Sequence, residues 1–195
     1  MKSNYNLFFV LSVIFIFANC TVKYVKKAPN WKEEIQSSKR IVISPSKETK
    51  LTQFEESLLL DLARERISHH TEFIVFKEPP KFKRVCAKEF SKQEAILFLT
   101  LKQIESKDDI SLSLEGKLFS CKSNTYIWAS LVEKSYSLTD LSNMSLRNTY
   151  KQKYGLVIEN RVNPYYLILK ELAGELISPT LTEEEKDEKV EVESI

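Results

Sequence analysis

Residues 95–101 read AILFLTL and residues 110–118 read ISLSLEGKL, and these two stretches decide the fold. The first is a continuous apolar run, which is typical of a central strand covered on both faces. The second alternates apolar and polar residues with a period of two, which predicts a strand with one buried face and one wet face. Turn residues at 121–125 precede a further apolar stretch at 126–136. The pattern therefore predicts a hairpin whose second arm returns beside the alternating strand.

A strand–helix–strand unit precedes this hairpin in the chain. Residues 40–44 read RIVIS and end at a proline, which predicts a strand. Thr52 and Glu55 have the spacing of a capping box, in which each side chain satisfies a free backbone N–H group, so a helix should start there. Residues 73–76 read FIVF and predict the second strand.

The last regular element predicted is a helix that starts at Asn163 and Pro164, because asparagine caps helices and proline suits their first turn. The full order is β-α-β-β-β-β-α. We expect one α+β domain over residues 39–178. It should be a two-layer sandwich, in which a mixed, largely antiparallel sheet of about five strands packs against two helices.

The composition excludes several classes of protein. Of 195 residues, 43% are hydrophobic, so the chain as a whole is not disordered. Its three glycines are scattered and cannot build a phosphate-binding loop. Charges of both signs are mixed through the predicted sheet and helices, and the formal net charge is +2, so nucleic acid is not expected as a ligand. We expect no cofactor.

The amino terminus has the pattern of an export signal. Lys2 precedes an apolar core at residues 7–17, which is shorter than the roughly 18 residues that a membrane-crossing helix needs. We therefore expect a signal peptide over residues 1–19 and a basic tether over 20–38. At the other terminus, residues 179–195 are rich in acids and poor in apolar side chains, which predicts a disordered tail.

Residues 17–20, FANC, resemble the lipobox of bacterial lipoproteins, with Phe17 and Asn19 in place of the usual leucine and glycine or alanine. The resemblance implies cleavage before Cys20 and attachment of diacylglycerol and palmitate to that residue. The lipid bilayer is then the first partner. Thr21 is not the aspartate that often retains such proteins in the inner membrane, so the resemblance implies the outer membrane, on its periplasmic or surface side.

Cys86 and Cys121 are the remaining cysteines. Two thiols in an exported chain favour one disulfide bond. The alternative is a pair of buried free thiols that behave as small apolar groups.

The chain also resembles an uncharacterised family of bacterial lipoproteins. The resemblance is carried by Cys86 and Cys121, by the Tyr-Ile-Trp segment at 126–128, and by the segment Pro-Thr-Leu at 179–181 before the acidic run. In outline the order of elements is similar to the amino-terminal module of TolB and to CsgG-type secretion lipoproteins. Neither resemblance implies catalytic residues.

Asp61, Glu65 and His69 are the best candidates for chemistry, because a spacing of four residues places them on one helix face. They would serve an envelope hydrolase or a metal-binding protein. The other interpretation is the solvent face of an amphipathic helix, since a metal needs more converging ligands than one helix supplies. We therefore predict no metal and no enzyme. The expected function is a non-enzymatic module that binds an envelope partner, and the hydrolase or metal-binding protein is the alternative.

Overall fold

The computed structural model describes residues 21–77, 86, 93–140 and 142–194. Six strands form one sheet: β1 (Val22–Lys27), β2 (Arg40–Pro45), β3 (Ile74–Phe76), β4 (Ala95–Glu105), β5 (Asp109–Ser120) and β6 (Thr125–Ser137). Their spatial order is β1-β6-β5-β4-β2-β3. Strand β2 pairs in parallel with β3 and β4, and the other neighbours are antiparallel. The expected α+β fold with a mixed, largely antiparallel sheet is confirmed, with one strand more than expected.

In the described residues five α-helices accompany the sheet: α1 (Trp31–Gln36), α2 (Gln53–His70), α3 (Met144–Tyr154), α4 (Glu159–Glu175) and α5 (Glu183–Glu193). A 3-10 turn at Leu156–Ile158 joins α3 to α4. Helices α2 and α4 pack side by side against one face of the sheet. The core between these layers is apolar and closed to solvent, with Leu62, Leu97, Leu114, Leu118, Ile168 and Leu169 fully buried.

The local patterns of the sequence have formed as expected. Thr52 and Glu55 make the reciprocal hydrogen bonds of a capping box at the start of α2. Along β5 the buried residues alternate with more exposed ones, and the hairpin to β6 turns at Asn124 with a positive φ of 56°. Trp128 is buried in β6. These elements form as predicted because the residues that make up each pattern lie within a few positions of each other in the chain.

The expected tether over residues 20–38 is wrong for the part that the structure describes. Residues 22–27 form β1, which pairs with β6 from Val22↔Val132 to Lys27↔Trp128. Helix α1 follows, and its Ile35 is buried in the core. The basic side chains of this segment favoured a solvated linker, but the segment instead forms the edge strand of the sheet.

The expected disordered tail over residues 179–195 is also wrong in most of its length. Residues 183–193 form α5, which starts with a second capping box between Thr182 and Glu185. Its acids are paired with cations of the domain, as described below. A run of like charges was expected to stay solvated, but here opposite charges hold it on the domain.

Helix α4 starts earlier than the sequence predicted. Asn163 does not cap the helix; its side chain instead bonds to Asn143 and Asp140, and Pro164 lies inside the helix. The preceding turn is held by Glu159, which pairs with Arg147 and Lys151 of α3.

Candidate functional site

The face of the sheet opposite α2 and α4 is the candidate site. Across β4, β5 and β6 it forms a shallow concavity of about 640 Å³. Its lining combines the apolar side chains of Ile104 and Leu131 with polar side chains, among them Thr100, Lys102, Ser111, Ser113, Glu133 and Ser135. The alternation of β5 places its serines here, because every second side chain points away from the core. We call this surface the open face.

The open face displays hydrogen-bonding groups. The hydroxyls of Ser111 and Ser135 lie 2.7 Å apart, and Ser113 donates to Glu133 at 3.1 Å. Both histidines of the chain belong to α2, in the opposite layer, so these serines have no histidine base beside them. The arrangement supports recognition by hydrogen bonds.

Tyr24 of β1 reaches across β6 and donates a hydrogen bond to Glu115 of β5, and Lys117 pairs with the same carboxylate at 2.7 Å. The hydrogen bond to Glu115 and, after it, burial raise the pKa of Tyr24 to about 12. Burial by itself favours a higher pKa for the Glu115 carboxyl, but the bonds from Lys117 and Tyr24 outweigh it and hold that pKa below its ordinary value. The carboxylate is therefore charged at neutral pH.

Sequence reasoning found only part of this group. The period of β5 placed Glu115 on the wet face, but Tyr24 lies 91 residues away in the segment expected to be a tether. The alternation of Tyr24 and Lys26 with Val25 was a weak indication of a strand. The lysines of this segment favoured a solvated linker instead.

An aromatic cluster lies at the other end of the open face. Phe119 and Tyr126 meet edge to face with ring centroids 5.2 Å apart, and Phe98 contacts Tyr126 in the same manner at 6.4 Å. Such edge-to-face pairs stabilise a sheet surface beyond their buried area. The face thus has a polar part and an aromatic part.

Strand β1 forms one border of the sheet. It pairs with β6 along one edge, and no described residue pairs with its other edge. The backbone N–H of Ala28 donates to Ile127, so by alternation the N–H of Lys27 points to the free edge. A row of unpaired backbone groups at an edge is a template for another strand.

The opposite border, β3, is covered by α5. Arg40 Nη2 lies 2.6 Å from Glu188 Oε2 and its Nη1 lies 3.0 Å from Glu94 Oε1, while Lys39 Nζ lies 2.7 Å from Glu185 Oε2. Lys189 of the helix donates to the backbone oxygen of Thr71 at 2.6 Å. These contacts fix the helix along the outer border, and the two borders of the sheet are therefore unlike.

Asp61, Glu65 and His69 do not converge on a common point. Asp61 accepts hydrogen bonds from Lys153 and from Tyr154 of α3, and Glu65 accepts one from Tyr150 of α3 at 3.3 Å. His69 is exposed. Among residues 21–77, 86, 93–140 and 142–194, no three His, Cys, Asp or Glu side chains are placed to hold a metal ion. The two carboxylates join helices α2 and α3, and they are not the solvent face that the sequence favoured.

The expected disulfide is confirmed: Cys86 and Cys121 are bonded, with their Cα atoms 5.5 Å apart. The predicted lipidation site, Cys20, and the signal peptide over residues 1–19 lie outside the described residues. No helix in the described part of the chain has the length and apolar character needed to cross a membrane.

No protein-family model and no curated protein matches the sequence. Solved structures do match. PelC from Paraburkholderia phytofirmans, solved as a dodecamer, is 11% identical over 80% of this chain and 97% of its own, with a TM-score of 0.51. A variant of the same PelC dodecamer matches with 10% identity over 82% of this chain and 99% of its own, also with a TM-score of 0.51. A lipoprotein from Neisseria meningitidis is 12% identical over 64% of this chain and 98% of its own, with a TM-score of 0.42.

The likeness to TolB and to CsgG-type proteins expected from the order of elements is not shown by these comparisons. The chain shares with PelC a fold, and at this level of identity the likeness establishes the fold alone.

Proposed function

We propose that the protein is a bacterial envelope lipoprotein, anchored through an acylated Cys20, that acts as a non-enzymatic binding or assembly module. It faces the periplasm or the cell surface from the outer membrane. Its partner is an envelope protein that pairs with the free edge of β1 and lies against the adjoining open face.

The unlike borders of the sheet carry this proposal. The β3 border is covered by α5, whereas β1 offers the outward N–H of Lys27. Main-chain bonds to such an edge supply affinity, and the side chains beside it supply specificity. Here the adjoining side chains are Tyr24, Glu115 and Lys117, a fixed pattern of opposite charges.

Two further facts support the proposal. Cys20 precedes β1 by a single residue, so an acyl anchor there would hold this edge at the membrane and raise its effective concentration toward other envelope proteins. PelC, which shares the fold, was solved as a dodecamer, so this architecture is compatible with assembly.

The anchor is tested by metabolic labelling with a fatty-acid analogue in the wild type and in Cys20→Ser, followed by fractionation of the membranes. We expect label and outer-membrane recovery in the wild type, and loss of both in the variant. A mature wild-type chain without added hydrocarbon would end the proposal that the protein is a lipoprotein.

The edge is tested with a matched pair of variants at Lys27. Lys27→Pro removes the outward N–H, and Lys27→Thr keeps it; both remove the contact of Lys27 with the Trp31 ring. After chemical cross-linking in intact envelopes, we expect the specific adduct of the wild type to persist in Lys27→Thr and to be lost in Lys27→Pro. Equal adducts in the two variants would contradict strand pairing at β1.

A further inference from the structure

The border strand β1 carries positive charge along its length. Lys23, Lys26 and Lys27 are three of its six residues, all three are exposed, and the strand contains no acidic residue. Lysines on an edge strand oppose pairing with an apolar strand, because pairing would take their charges out of water without a partner. The lysines of β1 therefore select which strand can pair with this edge.

The three lysines lie on both faces of the sheet. The register of β1 shifts just before Tyr24, and Lys23 Nζ lies 4.0 Å from Glu133 Oε2 on the open face. Lys26 is two residues after Tyr24, so its side chain lies on the open face as well, and that of Lys27 lies on the face of the helices. A strand that pairs with this edge would thus meet a cation on each of its faces.

The charges of Lys26 and Lys27 are not compensated within the described part of the chain. The ammonium group of Lys26 lies 4.8 Å from the centre of the Tyr24 ring, and that of Lys27 lies 4.9 Å from the centre of the Trp31 ring. Neither group makes an ion pair with a described carboxylate. A ring orients an ammonium group but carries no opposite charge, so both cations remain to be matched by a ligand.

The acids of the open face beside β1 already have partners. Glu115 pairs with Lys117 at 2.7 Å. Glu133 accepts a hydrogen bond from Ser113 at 3.1 Å and lies 4.0 Å from Lys23. These carboxylates are therefore engaged elsewhere, and the two lysines at the end of β1 keep their charge.

At the other border of the sheet, cations are covered by an acidic segment. Lys39 and Arg40, at the start of β2, pair with Glu185 and Glu188 of α5 at 2.7 and 2.6 Å. No side chain of α5 is buried, so opposite charge does more than apolar burial to place this helix. The fold itself thus shows that an acidic segment fits a cationic border of this sheet.

We infer that the envelope partner pairs with β1 through a strand whose acidic residues face Lys26 and Lys27. The inference rests on the proposed function, because it takes the pairing at this edge from there and adds the chemistry of the partner. Since Lys26 and Lys27 project to opposite faces, the acids that meet them are adjacent in the partner strand. Directly opposite side chains in paired strands have Cβ atoms about 4.5–5.5 Å apart, which is within reach of an ion pair.

A second copy of the chain fits this edge poorly. Antiparallel pairing of two β1 strands centred on Val25 places Lys23 opposite Lys27. Pairing centred on Lys26 places the two Lys26 side chains opposite each other. Like charges directly opposite one another destabilise a pair of strands, so the charges favour a different protein over self-association.

The test is photo-cross-linking in isolated envelopes, with a photoreactive phenylalanine analogue in place of Asn30, three residues beyond the end of β1. This reaction does not use lysine, so the lysines can be varied. Lys26→Arg with Lys27→Arg keeps both charges, Lys26→Gln with Lys27→Gln removes them, and Lys26→Glu with Lys27→Glu reverses them. Lys107→Glu with Lys170→Glu is the matched control, because both lysines are exposed and lie off this edge, in the β4–β5 turn and on α4.

We expect the adduct with the partner to persist in the arginine pair and in the control. It should weaken in the glutamine pair and fall by about tenfold in the glutamate pair, because two attractions become repulsions. Raising the salt concentration from about 0.05 M to about 0.5 M should weaken the wild-type adduct, since screening acts on exposed charges. The partner peptide in the adduct, identified by mass spectrometry, should contain adjacent acidic residues.

Equal adducts across the charge series, together with loss of the adduct in Lys27→Pro, would overturn the acidic partner and leave strand pairing at β1 intact. An adduct with a neutral or basic peptide, with a second copy of the chain or with lipid would also overturn it. Equal adducts in Lys27→Pro and Lys27→Thr would instead refute the proposed pairing itself. A wild-type chain that gives no protein adduct would refute both.

Discussion

Gly116 of β5 lies directly beneath Leu172 of α4. A Cβ atom on Gly116 would be 3.0 Å from Leu172 Cδ2 and 3.2 Å from Trp128 Cζ3. The missing side chain therefore sets how closely the helix layer approaches the sheet, since such contacts are shorter than packed side chains normally allow.

The first prediction concerns this contact. Gly116→Ala should lower the free energy of unfolding by about 1–3 kcal/mol, because the added methyl overpacks the core. Gly174→Ala is the control: nothing lies within 4 Å of its Cβ position, and it should stabilise α4 by up to about 1 kcal/mol. Urea denaturation measures both. An unchanged midpoint in Gly116→Ala would mean that the two layers separate readily.

The second prediction concerns Asp61. Because its carboxylate binds Lys153 and Tyr154, Asp61→Ala should destabilise the protein by about 1–3 kcal/mol, whereas His69→Ala should have little effect. Zinc should raise the melting temperature of neither the wild type nor the variants. A zinc-dependent increase that is lost in His69→Ala would restore the metal-binding alternative.

The third prediction concerns the disulfide. Cys86 and Cys121 are 35 residues apart. In the loop-entropy model, a cross-link over that distance lowers the entropy of the unfolded chain and so raises its free energy by roughly 4 kcal/mol. Replacing both cysteines by serine should lower the unfolding free energy by up to about that amount. Reduction of the wild type with dithiothreitol should reproduce the loss, and a stable reduced protein would contradict it.

The fourth prediction concerns acid release of α5. The bond from Lys39, followed by the backbone N–H of Thr182, lowers the pKa of Glu185 in the folded protein. A carboxyl whose folded pKa is depressed adds stability above its ordinary pKa of 4.5, and that stability disappears as the pH falls through the folded value. Attachment of α5 should therefore weaken below about pH 4.5.

A nitroxide on Val190→Cys measures this attachment. Its mobility should rise on acidification while that of a label on Tyr126→Cys stays constant, since Tyr126 lies in the sheet. Arg40→Ala should produce the mobile state already at neutral pH, because it removes the pairs with Glu185 and Glu188 of α5. Equal mobility of the Val190 label at about pH 6 and about pH 3 would show that apolar contacts, not charges, hold the helix.

Local sequence patterns predicted the elements that are satisfied locally. The capping box at Thr52 and the alternation along β5 involve residues within a few positions of each other, so the structure confirms both predictions. The disulfide was predicted from the expected export and from the presence of two cysteines beyond Cys20.

The sequence-based predictions were wrong for the segments whose stabilising contacts come from residues far away in the chain. The edge strand β1 is stabilised by β6 about 100 residues later, and α5 is held by Arg40, which lies 148 residues before Glu188. From composition alone, both segments were expected to be solvated and without regular structure. The capping box at Thr182 and Glu185 was visible, and its similarity to the one at Thr52 was the signal that could have identified α5.

The candidate site was less predictable than the fold. Ser111, Ser113 and Glu115 belong to the wet face of a strand that the sequence identified, but Tyr24 came from an unexpected strand. Asp61 and Glu65 attracted attention by spacing, which reports that side chains share a helix face but not that another helix covers it.

Because α5 covers the border at β3, another strand can pair with the described sheet at β1 but not at β3. Two copies that meet through β1 would complete each other and stop, because neither then presents a second strand to the next copy. The protein would thereby be kept from growing into fibrils through its own sheet.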